Sequence, residues 1–256
     1  MKKRYYILTA IVSYLVFTLG NVPAAKIISL IDKNTQMPAK LYGIQGSLWN
    51  GSADRLIMQG QPPVDNLQWS LHPASLLLAQ ISSEVKAQIK GQNIIGDVSV
   101  SATGTLQASD VRARIKADVM QELIQLPLGE LGGIFIINIE SLNLQPEGLP
   151  EVIAELNWKQ ASLTLAETVD LGNVLLTVEP KDDKQLLAKV SNKKGQILID
   201  GNITVDEKKM YTLDIRFTPE KSATKNILQS LKMFARRQTD GSYQLKRKGN
   251  LQEFGI

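Results

Sequence analysis

Apolar and polar residues alternate along most of this chain. Glu84-Val-Lys-Ala-Gln-Ile-Lys, Val98-Ser-Val-Ser-Ala-Thr and Val111-Arg-Ala-Arg-Ile-Lys-Ala follow the pattern, as do Asn202-Ile-Thr-Val-Asp and Tyr211-Thr-Leu-Asp-Ile-Arg-Phe-Thr. Ile134 to Leu144 begins apolar and passes into alternation at Asn138, Glu140 and Asn143. A period of two places one face of a strand in a core and the other in water. Turn-forming groups separate the runs: Gly91-Gln-Asn, Pro180-Lys-Asp-Asp, Gly195 and Asp200-Gly201. The pattern predicts roughly ten strands in an antiparallel, mostly meandering sheet. Asp182-Asp183 reads as a hairpin turn.

Two helices interrupt the alternation. Asp118 is placed to cap Val119 to Leu126, with Gln121 at the capping-box position and Pro127 and Gly129 as the stop. A second helix is expected to begin at Thr218-Pro219, with Thr as N-cap. Its Ala223, Ile227, Leu228, Leu231 and Phe234 fall on one stripe that would cover part of the sheet. Pro73-Ala-Ser-Leu-Leu-Leu suits a short helical turn. Asn66-Leu-Gln-Trp-Ser-Leu and Glu155-Leu-Asn-Trp-Lys-Gln hint at internal repetition, consistent with two similar sheet halves.

The N-terminus breaks with the rest. Lys2, Lys3 and Arg4 precede an uncharged run from Tyr5 to Ala24. A helix of that length rises about 30 Å, the thickness of the hydrocarbon core. The basic flank predicts a cytoplasmic N-terminus. The alternative is a cleaved signal peptide with its site near Val22-Pro23-Ala24 or Pro23-Ala24-Ala25. The run exceeds a usual signal core, and Pro23 lies inside the tripeptide, so a retained anchor is the favoured reading. The expected layout is residues 1–4 cytoplasmic, 5–24 a transmembrane anchor, 25–38 a helical stalk ended by Pro38, and 39–256 a periplasmic β domain.

Charge and composition then narrow the function. Without Lys2, Lys3 and Arg4, 29 basic residues become 26 against 25 acidic ones, so the exported part is nearly neutral at +1. The excess gathers between Lys221 and Lys248. A basic contact surface is expected from Lys225, Lys232, Arg236, Arg237, Lys246, Arg247 and Lys248, facing anionic lipid headgroups or an acidic partner domain; the plainer reading is a solvated helix face and a charged edge strand. No nucleic-acid motif accompanies these cations. The chain has no Cys and one His, His72, which argues against a zinc site. It has no Gly-x-Ser-x-Gly elbow and no phosphate-cradling glycine loop. No catalytic residue, cofactor or metal is expected, and the chain reads as a non-enzyme.

Gly46-Ser-Leu-Trp-Asn-Gly-Ser-Ala, followed by Leu67-Gln-Trp-Ser-Leu-His-Pro-Ala-Ser-Leu-Leu, resembles protein N of the type II (general) secretion pathway. Gln125-Leu-Pro-Leu-Gly, Gly133-Ile-Phe-Ile, Leu156-Asn-Trp-Lys-Gln-Ala, Leu171-Gly and Asp240-Gly-Ser-Tyr-Gln-Leu extend the resemblance co-linearly over most of the chain. It implies a single-pass inner-membrane protein of a Gram-negative bacterium with its main domain in the periplasm. The implied role is an accessory part of the secretion machinery, acting through contacts with other inner-membrane and periplasmic subunits. The family is also similar to AsmA-like proteins, which implies an alternative: a lipid-binding or lipid-transfer module with an apolar groove. Together with the alternation it implies an elongated, twisted antiparallel sheet, a half-open barrel or groove with a few covering helices. The motif residues Gly46, Ser47, Leu48, Trp49, Gly51, Ala53, Trp69, Pro73, Trp158 and Ala161 are expected to serve the fold. The alternative for Trp49, Trp69 and Trp158 is an aromatic lining for a groove or partner surface.

Overall fold

A computed structural model describes residues 20–34, 39–124, 129–146, 148–165, 167–182 and 184–251. Most of the expected anchor, residues 35–38 of the expected stalk, and Gln125 to Leu128 of the family motifs lie outside them. Among the described residues no helix is long and apolar enough to cross a membrane.

The protein is mainly antiparallel β, and the chain divides into two compact units at Ser99/Val100. The first opens with helix α1 (Ala24–Asn34) and continues through strands β1 (Ala39–Tyr42), β2 (Gln45–Gly46), β3 (Asn50–Met58), β4 (Val64–Leu71) and β5 (Gln80–Ile89) into β6 (Gln92–Ser101). Its strand order is β1-β3-β4-β5-β6, with β2 pairing β3. A 3-10 turn, Pro73–Leu78, joins β4 to β5, where a helical turn was expected. Ala24 of α1 is fully buried. Ala25 and Ile28 share a hollow with Leu41, Ile44, Leu56 and Leu67, so α1 lies against this sheet.

The second unit comprises β7 (Leu106–Lys116), α2 (Ala117–Leu123), β8 (Glu130–Leu144), β9 (Glu151–Thr164), β10 (Thr168–Asp182), β11 (Gln185–Lys193), β12 (Ile197–Asp206), β13 (Met210–Pro219), α3 (Lys225–Phe234), β14 (Arg236–Arg237) and β15 (Tyr243–Asn250). Neighbours follow sequence order to β13, then β15 and β14. Cross-strand registry turns the alternation into rows. Ala113, Ile137, Leu156, Leu176, Val190, Gly201, Ile215 and Leu245 lie opposite one another in turn. The adjacent row, on the other face, is Arg112, Asn138, Glu155, Thr177, Lys189, Asn202, Asp214 and Lys246. A slip of one residue would exchange the rows, so the pattern fixes the register.

The helices depart from expectation in instructive ways. α3 starts at Lys225, because β13 continues pairing through Pro219, which lies opposite Ile197. Thr224, not Thr218, is the N-cap; its side chain accepts from the Ile227 N–H. Ile227 and Leu231 form the core with Ile197, Ala235 and Tyr243, while Phe217 and Leu245 pack around it. Phe234 meets Phe217 edge-on at 5.8 Å. α2 starts at Ala117, and Asp118 sits in its first turn with Oδ1 accepting from the Val119 N–H at 2.8 Å. Gln121 ties the helix to β8: its Nε2 donates to the Gly129 carbonyl and its Oε1 accepts from the Leu131 N–H. The expected Asp200-Gly201 turn lies inside β12. A Cβ on Gly201 would meet Ile215 Cα at 2.7 Å, so this glycine serves close strand packing.

Candidate functional site

The marked motif of the first unit forms a clip. Gly46 adopts φ +78°, and a Cβ there would meet the Asn50 carbonyl at 2.6 Å. The chain then reverses: Ser47 N–H donates to the Asn50 carbonyl at 2.9 Å, and Asn50 N–H donates back to Ser47 Oγ at 3.1 Å. Gly51 leaves room for the Trp69 ring; a Cβ on it would lie 2.3 Å from Trp69 Cζ2. Trp69 Nε1 donates to the Leu48 carbonyl at 3.0 Å, closing the turn over the ring. Leu71 N–H donates to the Trp49 carbonyl. Ala53 is buried opposite Leu67, and Pro73 opens the 3-10 turn. The same turn holds the incoming chain: Leu48 N–H donates to the Val22 carbonyl at 2.8 Å, and Pro23 bridges Ser47.

In the second unit Trp158 Nε1 donates to the Gly132 carbonyl at 2.8 Å, and its ring stacks on Phe135 at 4.9 Å. Ala161 is fully buried opposite Gly172, whose φ is +69°. A Cβ on Gly172 would meet the Lys193 carbonyl at 2.1 Å. Trp69 and Trp158 thus each tie their strand to a neighbouring backbone segment. Sequence reasoning missed a third fastener, Asn192. Its Nδ2 donates to the carbonyls of Leu171 and Ile197, and its Oδ1 accepts from the Ile199 N–H. One side chain on β11 so ties β10 to β12, and nothing in the local sequence marks it.

All seven cations of the expected basic surface are exposed, but registry splits them. Arg236 lies opposite Gln244 and shares the polar face with Lys246 and Lys248. Arg237, opposite Tyr243, and Arg247, opposite Leu213, belong to the apolar face. Lys225 and Lys232 stand on α3. Lys246 pairs with Asp214 at 3.1 Å. β14 covers the outer edge of β15 at Tyr243 and Gln244 only, so Lys246, Arg247 and Lys248 line an edge with no further strand among the described residues.

The electrostatics are those of an exposed sheet surface. Hydrogen bonding from Gln244 holds the Asp214 carboxyl below its ordinary value, aided by Lys246. Lys86 lowers Glu84, and the Ser242 hydroxyl and N–H lower Asp240. Among the described residues no group of three His, Cys, Asp or Glu side chains could hold a metal ion. His72 is exposed at the start of the 3-10 turn, and its N–H donates to the Ser82 carbonyl.

The fold is that of an antiparallel β-sheet protein in which Trp69, Trp158 and Asn192 bond to neighbouring backbone. Residues 38–246 match the family model of type II secretion system (T2SS) protein N. That match covers well over half of the chain, and the chain belongs to this family: it is a type II secretion component. It is similar to the type II secretion system protein N of Vibrio cholerae serotype O1, at 23% identity over 220 residues, 83% of this chain and 85% of that relative. No solved structure matches it.

Proposed function

We propose that this chain is an accessory inner-membrane component of the type II secretion machinery that acts by protein contacts in the periplasm and catalyses no reaction. Tyr5 to Ala24 would hold it in the membrane, with Lys2, Lys3 and Arg4 on the cytoplasmic side. The observation that carries the reading is the family match across residues 38–246. The uncharged N-terminal run and the absence of Cys with a single His support its anchored and non-catalytic parts. In vivo crosslinking of the full-length protein should capture other secretion subunits on the periplasmic side, and deleting it should slow export of secreted proteins. Wild-type export in the deletion strain, with no crosslinked subunit, would refute the proposal.

A second reading has its own support. The apolar row from Ala113 to Leu245 is half-buried along its length apart from the buried Gly201, and Leu245 at its end packs against the α3 core. An apolar sheet face favours acyl chains or a partner as cover. Mass spectrometry of the protein purified without detergent would find bound phospholipid; an empty, monodisperse protein would count against this second reading.

A further inference from the structure

Four large apolar side chains stand in solvent on the loop between β4 and β5 and at the start of β5. Leu77 is 89% exposed, Leu78 75%, Ile81 56% and Leu76 49%. The loop is firmly built. Ser75 Oγ donates to the His72 carbonyl at 2.7 Å and accepts from the Ser82 N–H at 3.2 Å. Ala79 closes the turn in the left-handed region, its N–H donating to the Leu76 carbonyl at 3.1 Å. Leucines held out on a fastened loop are a contact surface in waiting.

The surroundings say what covers them. The loop rises from the end of the sheet where the chain enters. Leu48 is hydrogen-bonded to Val22, Trp49 to Leu71, and His72 to Ser82. Those links step across neighbouring strands about 4.8 Å apart, which puts the leucine loop on the order of 15 Å from residue 22. The segments that meet at this end are uncharged: residues 20–25, 41–53 and 66–83 contain no Asp, Glu, Lys or Arg. Residues 20–24 are in turn the last part of the uncharged run that starts at Tyr5. Glu84 and Lys86 lie just beyond and pair with each other at 2.7 Å. Leucines with no unpaired acid or base in these segments, beside the point where an apolar segment ends, fit lipid.

We infer that Leu76, Leu77, Leu78 and Ile81 dip into the bilayer surface beside the anchor, giving this unit a second membrane contact. The inference rests on the anchor proposed for Tyr5 to Ala24. A single anchor leaves a domain free to tilt and swivel; a second contact about 15 Å away fixes how it faces the membrane.

The chain has no Cys, so every introduced thiol is unique. Three full-length variants, Leu77→Cys, Val12→Cys and Gln61→Cys, are labelled with a fluorophore. Each is reconstituted in vesicles of phosphatidylethanolamine and phosphatidylglycerol, with nitroxide-labelled lipid or with aqueous iodide as quencher. Position 61 is the control, because it lies in the β3–β4 turn at the far end of the same strands. Acyl-chain nitroxide should quench positions 77 and 12 but not 61. Iodide quenching at 77 should fall on the order of tenfold relative to 61, as expected for a leucine that prefers an apolar medium. If iodide reaches 77 while 12 stays lipid-quenched, the anchor stands and the second contact is refuted. If iodide reaches both, the anchor reading falls and takes the inference with it. If 77 escapes both quenchers, protein covers the leucines and the lipid assignment is wrong.

Discussion

In the first unit Trp69 gives its indole N–H to Leu48, and in the second Trp158 gives its own to Gly132. The bond is the same and the ring rests on different ground. Trp69 lies against the bare backbone of Gly51, while Trp158 stacks on Phe135, itself 7% exposed. The contrast extends to the units. Among the described residues, the hydrophobic ones buried in the first are Ala24, Ala53 and Val64. The second buries Phe135, Ile197, Tyr211, Ile227, Leu231 and Tyr243 among others. The first unit also leaves its Leu76–Leu78 loop in solvent. One unit therefore has a conventional core under a helix, and the other relies on its ladders, its clip and whatever covers its apolar surface.

The largest effect that tests this contrast is expected at α3. Ile227→Ala empties a site that is 2% exposed and should cost about 2–5 kcal/mol in urea unfolding. The same measurement on Ile57→Ala, 44% exposed in the first unit, should move little. A large loss there would show that the first unit hides a core of its own. Next comes Gly51→Ala, whose Cβ must displace both the Trp69 ring and the Ser47 carbonyl. It should cost about 1–3 kcal/mol, and a neutral result would mean the clip is loose.

Trp69→Phe and Trp158→Phe sharpen the comparison further, since each removes the indole donor together with the same part of the ring. The lost bond should contribute about 1 kcal/mol in each if it acts alike in both places. A clearly larger loss at Trp69 would mean that the clip depends on its bond where Trp158 leans on Phe135. The smallest effect concerns acid. The folded carboxyl of Asp214 titrates below its ordinary value, so its contribution is present at neutral pH. That contribution fades as pH drops from the ordinary aspartate range through the depressed folded value. The group is exposed, which limits the loss to a few tenths of a kcal/mol. An acid titration of stability should be slightly shallower in Asp214→Asn than in the parent, and equal slopes would remove Asp214 from the account.

The sheet was legible because its information is local. A period of two survives in each strand, and registry does the rest, as in the row from Ala113 to Leu245. Errors arose where partners distant in sequence decide. Thr218-Pro219 has the chemistry of a helix start, but Ile197 holds Pro219 in the sheet. Asp200-Gly201 has the chemistry of a turn, but Ile215 needs the missing side chain. Gln121 suits a capping box and instead reaches Gly129 and Leu131. At the candidate site the motif spacing was visible, and the 21 residues separating Trp69 from its acceptor Leu48 were not. The basic set reads as one cluster in sequence; a strand sends Lys246 and Arg247 to opposite faces.

The outer margin of β15 has a bearing on crowding. An exposed strand margin is a template on which another molecule can grow. Here Lys246, Arg247 and Lys248 occupy that margin. Two copies approaching through it bring like charges together, so stacking into fibres is resisted even at high local concentration. An extended segment rich in Asp and Glu would meet no such barrier.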